Sequence, residues 1–245
     1  MQLNTKSIKN HFEKSMDKYN ENAIVQTNLA KKLATETSHF QSEYNSILEL
    51  GCGTGILTQN IKENFSFENY YANDLTEKSK KYVDKIIPHN QFIHGNAIKI
   101  KPPKKVDLII SNAMFQWFSN FDEIAKHCQT LLNKDGILAF TTFGTQNFSE
   151  IKDLTGLTLK YISTDEIVQK LTPDYDVLHT EEYLQILNFK TPLELLAHLK
   201  NTGVNSLATR TWTIKEVKVF CEKYLQKYNS AQLTYNPIII IAKIK

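Results

Sequence analysis

Along the first 150 residues, short apolar runs alternate with stretches whose apolar positions recur at helical spacing. That alternation marks helices layered on a sheet, an α/β fold. The run "SILELG" (46–51) reads as a buried strand stopped by glycine, and "TGILTQNIKENF" (54–65) as the helix after it, through Ile56, Leu57 and Ile61. "NYYANDL" (69–75), "QFIHGNA" (91–97), "VDLIISN" (106–112) and "ILAFTTFG" (137–144) supply four more strands. The third of these is so apolar that a place at the sheet centre is expected. Between them, "EKSKKYVDKII" (77–87) predicts a helix ended before Pro88, and "NFDEIAKHCQTLLNKDG" (120–136) a helix stopped by Gly136. The first 40 residues are mostly helical in pattern and precede the first strand.

The second half is less regular. "STDEIVQKL" (163–171) predicts a helix capped by Ser163 or Thr164, with Pro173 just beyond it. "YDVLHTEEYLQIL" (175–187) reads as a long strand. "TPLELLAHLKNTG" (191–203) is a helix with Pro192 in its first turn and Gly203 past its end, and "TIKEVKVFCEKYLQKY" (213–228) is another. "LTYNPIIIIAKIK" (233–245) closes the sequence as a strand, where Pro237 implies an edge position or a bulge. No Gly-, Pro- or Ser-rich linker divides the chain. A single domain over 1–245 is expected: N-terminal helices over 1–44, a core over 45–144, and further helices and strands over 145–245.

The turn "LELGCGTG" (48–55) carries the first chemistry. Glycines between a strand and a helix permit a sharp turn and close approach of a ligand to the backbone. A tight turn without a ligand is the plainer reading of such a motif alone. Two acids change the balance. Glu49 ends an otherwise apolar strand, and Asp74 ends the next one, near the spacing of an acid that accepts from ribose hydroxyls. A nucleoside cofactor at the carboxyl ends of these strands follows. The spacing is G-x-G-x-G rather than that of dinucleotide folds, and Glu49 would repel a pyrophosphate but suit a cation.

Composition narrows the class. Hydrophobic residues make up 41% of the 245 and charged ones 22%, ordinary for a soluble globular protein. The net charge of +3 is too small to argue for nucleic acid. Cys52, Cys128 and Cys221 are far apart, so neither a disulfide framework nor a zinc site is expected, and a reducing cytoplasm fits. No run approaches the roughly 20 apolar residues that span a bilayer, and no signal peptide is evident. One arginine, Arg210, stands among lysines in "NSLATRTWT" (205–213).

"ELGCGTG" with Asp74, "GNA" (95–97) and "IISNAMFQW" (109–117) resembles the class I S-adenosylmethionine-dependent methyltransferases. The resemblance implies a Rossmann-like fold: a seven-stranded, mostly parallel sheet with helices on both faces, an N-terminal helical cover and a helical lid before the last strand. It implies S-adenosylmethionine as cofactor. Cofactor contacts are then expected from Glu49, Gly51, Cys52, Gly53, Asp74, Leu75, Asn96, Ala97, Ser111 and Asn112. Asn96 stands where that family usually has Asp, and its amide oxygen can still accept from the adenine amino group. The loop after the fourth strand has no proline, which disfavours methylation of nucleobase amino groups. Neither Cys52 nor Cys128 is placed as a nucleophile.

A second resemblance extends over nearly the full length. "FEKSMDKYNENAIVQTNLAKKL" (12–33), "AFTTFGTQNFSEI" (139–151), "LELLAHLKNTGVNSLATRTWT" (193–213) and the terminal strand are similar to the malonyl-[acyl-carrier protein] O-methyltransferases of biotin synthesis. The resemblance implies methyl transfer to the free carboxylate of a malonyl thioester on an acidic acyl carrier protein. It adds Tyr19 and Gln26 of the N-terminal cover to the cofactor residues. Arg210 is expected to orient the carboxylate, because a planar guanidinium holds a carboxylate by two parallel hydrogen bonds and lysine does not. Tyr19, Trp117, Gln116 and Lys200 complete the expected substrate contacts. Packing is the plainer reading of Trp117 and Tyr19, and a surface charge that of Arg210. Among the histidines, His11, His94, His127, His179 and His198 are read as structural. The lysines of the N-terminal helix, of 101–105 and of 215–223 are candidate carrier contacts, those near the second-half helices being favoured. A methyltransferase for a free small acid and a non-catalytic cofactor-binding module are the alternatives; oligomeric state is not legible.

Overall fold

The computed structural model describes residues 5–203 and 212–245. Helices α1 (Thr5–Asn22) and α2 (Ile24–Ser38) lead into strand β1 (Glu43–Leu50). Helix α3 (Ile56–Asn64), β2 (Ser66–Asp74), α4 (Lys80–Ile86), β3 (Gln91–His94), β4 (Val106–Ser111), α5 (Phe121–Leu131) and β5 (Leu132–Phe143) follow. The second half runs α6 (Ser149–Thr155), α7 (Thr164–Leu171), β6 (Tyr175–Glu182), β7 (Gln185–Phe189), α8 (Pro192–Asn201), α9 (Ile214–Tyr228), β8 (Ala231–Tyr235) and β9 (Pro237–Ile244).

Among the described residues the main sheet has seven strands in the order β3-β2-β1-β4-β5-β9-β6. β1 to β5 are parallel, and β9 runs antiparallel to both β5 and β6. The expected mostly parallel sheet of seven strands is therefore present. Its alternate residues build two cores. Ile47, Leu108, Ile110, Ala139 and Ile239 face α2, α3, α8 and α9. Leu48, Ile109, Leu138, Phe140 and Ile240 face α5 and α7. Strands buried on both faces read as continuous apolar runs, which is why the central ones stood out. The strand order reverses between β1 and β4, and a crevice opens there at the carboxyl ends of the strands.

Several boundaries differ from the sequence reading. Gly136 does not stop a helix: α5 ends at Leu131, and 133–136 form an irregularity inside β5, between the pairs Val106–Leu132 and Leu108–Ile137. Asp135 there takes a φ of 65°. The expected long strand over 175–187 is two strands in different sheets. β6 ends at Glu182, and β7 pairs antiparallel with β8 in a separate two-stranded sheet. Alternating burial continues through both, so the periodicity carried no break. The terminal strand likewise divides at Asn236, whose side chain donates to Glu182 Oε1 (3.0 Å) and to the Tyr183 carbonyl (3.2 Å). β9 is not an edge strand. Pro237 is its first residue, opposite Phe143, where a strand tolerates the missing N–H. Helix α6 was not anticipated.

Candidate functional site

The crevice is a cleft of about 460 Å³ floored by the loop after β1 and roofed by α1 and α2. Gly51 and Gly53 both have positive φ, 71° and 54°. At Gly53 a Cβ would stand 3.0 Å from the Phe12 ring of α1, so the cover closes directly on the backbone there. The Gly53 N–H donates to Asp74 Oδ2 and the Thr76 N–H to Asp74 Oδ1, each at 2.8 Å. These fix the carboxylate at the end of β2 while leaving lone pairs for further donors. Burial raises its pKa, and the two backbone donors oppose that rise.

Glu49 lies behind the turn with no exposed surface. Its Oε2 accepts from Thr58 Oγ1 (2.7 Å) and from the Tyr70 hydroxyl, whereas Oε1 has no partner. Burial pushes the carboxyl up to about 7. On the cleft wall itself, two buried acceptors are likewise unpartnered, Gln26 Oε1 and Gln116 Oε1. Gln116 Nε2 donates to the Ala113 carbonyl at 2.6 Å, which fixes the amide so that its oxygen is the free end. The fully ionisable groups on the wall, among the described residues, are Lys9, Asp74 and Glu123. Acceptors without donors, beside a net negative wall, suit a ligand that brings N–H groups and positive charge.

α1 is held over this turn by polar contacts. Thr54 Oγ1 donates to Asn20 Oδ1 and Thr76 Oγ1 to Glu13 Oε1, both at 2.5 Å, and Lys78 pairs with Glu13 at 3.0 Å. Tyr19 lines the cleft with its ring edge-on to Phe12, centroids 5.2 Å apart. Burial and the Asp74 charge keep its hydroxyl protonated, hence a donor. Asn112 uses both ends of its amide: Nδ2 donates to the Gln26 carbonyl (2.9 Å) and Oδ1 accepts from Thr141 Oγ1 (2.7 Å). Thr141 also accepts the Ala113 N–H at 2.8 Å, which holds Ala113 at a φ of 51° and aims the loop bearing Gln116 and Trp117 into the cleft.

Residues 19–208 match the family model of the methyltransferase domain. The malonyl-[acyl-carrier protein] O-methyltransferase of Bacteroides thetaiotaomicron is 37% identical over 99% of both chains. The chain belongs to the malonyl-[acyl-carrier protein] O-methyltransferases. The enzyme of the same name from Bacteroides helcogenes is 34% identical over 97% of this chain and 98% of its own. The solved structure of the N-methyltransferase NodS of Bradyrhizobium japonicum WM9, in complex with S-adenosyl-L-homocysteine, has a TM-score of 0.54 at 8% identity over 87% of this chain and 85% of that one, a likeness of fold. The cofactor of this methyltransferase is S-adenosylmethionine.

Of the residues singled out in the sequence of this family member, the cleft brings together Tyr19, Gln26, Gly51, Cys52, Gly53, Asp74, Leu75, Asn96, Ala97, Asn112, Gln116 and Trp117. Asn96 Oδ1 already accepts the Ile98 N–H at 3.2 Å. Cys52 is buried with its thiol pKa well above the ordinary value, mainly through desolvation, which makes it an inert wall. Ser111 is not in the cleft: its hydroxyl donates to the Leu50 carbonyl at 2.8 Å and ties β4 to β1. Lys200 is exposed on α8, away from the cleft wall. Arg210 lies outside the described residues.

The far end of the cleft was missed. Phe143, Asn147, Phe148, Tyr161 and Tyr235 line it. Asn147 Nδ2 donates to the Tyr161 hydroxyl at 2.8 Å while its Oδ1 accepts the Asn236 N–H at 3.1 Å. The Tyr235 hydroxyl lies 2.7 Å from His198 Nε2, and burial lowers the His198 pKa to about 4, so that ring is neutral. These partners come from segments 14 to 89 residues apart, beyond the reach of any local spacing rule.

Proposed function

We propose that this enzyme esterifies the free carboxylate of a malonyl thioester carried on acyl carrier protein, an early step of biotin synthesis. The observation that carries the reading is the full-length match to the Bacteroides enzymes of that name, which includes the cover and lid segments outside the shared cofactor core. S-adenosylmethionine, when bound, supplies an electrophilic methyl group on a positively charged sulfur. Gln26, Asp74 and Asn96 line the cleft and offer it oxygen acceptors, Gly51 and Gly53 let it approach the backbone, and Glu49, behind the turn, acts on it through charge alone.

A malonyl carboxylate is ionised at neutral pH, so no strong base is required. The protein positions and desolvates it. Desolvation of an unpaired carboxylate costs several kcal/mol. Arg210 offsets that cost by gripping the carboxylate, and Tyr19 and Trp117 wall it in. One carboxylate oxygen stays free as the nucleophile. The carrier's acidic face meets Lys215, Lys218 and Lys223, all exposed on α9. Three free cysteines fit the reducing cytoplasm in which we expect the enzyme to work.

Incubation with malonyl carrier protein and cofactor is expected to add one methyl group to the carrier by intact mass, and acetyl carrier, which lacks the carboxylate, is expected to gain none. Esterification of a free small acid with no mass gain on malonyl carrier overturns the reading. In the same assay Arg210→Lys is expected to cut kcat/KM about tenfold, roughly 1.4 kcal/mol, without changing cofactor affinity. Equal loss of cofactor binding would make Arg210 structural.

A further inference from the structure

A second cavity of about 250 Å³ adjoins the cleft. Gln116, Phe118, Ser119, Asn120, Phe143 and Tyr161 line both, so the two spaces meet across these side chains. Separate small-molecule sites run from about 300 to 1,000 Å³, which makes the smaller space a side branch rather than an independent site. Phe121, Ile162 and Ile167 give it an apolar floor, and its rim is charged, with Asp122, Lys160, Glu166 and Lys170. Lys170 is committed to Asp122 at 2.8 Å and Glu166 at 4.0 Å. Lys160 is exposed and has no acidic partner among the described residues.

The inner neck is polar in a defined sense. The Tyr161 hydroxyl accepts from Asn147, so its own proton remains to be donated. Gln116 Oε1 is a buried acceptor without a donor. A donor and an acceptor at a neck, an apolar floor beyond it and one unpaired cation at the mouth match a chain with the same sequence of groups. The acyl group of a carrier protein hangs on such a chain: amides near the thioester, hydrocarbon in the middle and a phosphodiester at the far end.

We propose that this side branch is the passage for the phosphopantetheine arm, with its amides at Tyr161 and Gln116 and its phosphate at Lys160. The inference rests on the carrier-bound substrate argued above. Adjacent residues Lys160 and Tyr161 then span the passage, one exposed at the mouth and the other at the neck.

The test uses acetyl-phosphopantetheine and acetyl-pantetheine, which enter the passage but offer no carboxylate to methylate, as inhibitors of malonyl carrier esterification by the full chain. Both are expected to compete with the carrier substrate, the phosphorylated one at least tenfold more strongly. Lys160→Glu is expected to abolish that advantage. Ile162→Trp is expected to weaken both inhibitors at least tenfold with cofactor Kd unchanged; if its Tm shows that it misfolds, Lys160→Glu on the exposed rim carries the test alone. Wild-type enzyme that ignores both inhibitors, or a phosphate advantage that survives Lys160→Glu, overturns the passage. Wild-type enzyme that fails to esterify malonyl carrier at all overturns the carrier reading instead.

Discussion

Glu49 titrates where it matters to the cell. Its carboxyl is held near 7 by burial, against an ordinary value of 4.5, with the Tyr70 and Thr58 donors opposing the shift. Between those two values the folded protein keeps a proton that the unfolded chain releases. Stability therefore falls as pH rises from about 4.5 to about 7 and is level beyond. The displacement corresponds to about 3 kcal/mol at most. A cation in the cleft favours the ionised form and recovers part of that loss. Thermal unfolding of the wild type with and without S-adenosylmethionine is thus expected to show a larger stabilisation at pH 8 than at pH 5.5, and Glu49→Gln to flatten the difference. Equal ligand-induced shifts in Tm at both pH values would refute this role. Glu49 and Asp74 were legible in the sequence because an acid at the end of an apolar strand is conspicuous. Asn147 and Tyr161 were not, since an asparagine and a tyrosine in a polar stretch look like any others until the fold pairs them. Ser111 shows the converse: a serine beside the loop was read as a contact and is a tie between strands.

Among the elements that roof the cleft, α1 has the weaker claim to permanence. It buries only Ser15 and Met16 along its length, whereas α2 buries seven residues. Its ties to the cofactor turn are polar: Thr54 to Asn20, Thr76 to Glu13, and the Lys78–Glu13 pair. Partly exposed contacts of this kind are worth roughly 1 kcal/mol each or less, so local opening costs far less than global unfolding. The cleft wall includes Phe12 and Tyr19 of this helix, so a ligand beneath it adds the missing contacts. Amide exchange and proteolysis within 5–22 are expected to slow at least tenfold with cofactor, and those of α2 to change little. Unchanged protection of α1 would make it a fixed wall. Helical cover was readable because amphipathic spacing and caps are local, as the observed Thr213–Glu216 capping box on α9 and Thr191 cap on α8 also illustrate. Strand pairing is not local. That is why 175–187 hid a change of sheet, and why Pro237 mimicked an edge strand while sitting where the ladder begins.

At the scale of the molecule the question is whether the second half folds as a lid on an autonomous core. β9 comes late in the chain yet lies between β5 and β6, so the core's own sheet is completed by a strand from the second half. One apolar cluster contains Val25 of α2, Leu108 of β4, Leu195 of α8, Tyr224 of α9 and Ile239 of β9. A seam between core and lid would have to cut through that cluster and strip a buried β5 edge of its partner. Breaking several fully buried aliphatic contacts costs about 1.5 to 3 kcal/mol for each side chain exposed, comparable in sum with the stability of a whole domain. The halves are therefore expected to unfold together. The two tryptophans report on them separately: Trp117 lines the cleft and Trp212 packs on Phe220 of α9, centroids 5.3 Å apart. In Trp117→Phe and Trp212→Phe variants, the remaining tryptophan's fluorescence and far-UV circular dichroism are expected to give coincident urea midpoints. In Trp117→Phe, a Trp212 signal lost at a midpoint lower by about 0.5 M or more than the far-UV circular dichroism of the same protein would show a separable lid, because both probes then read one variant.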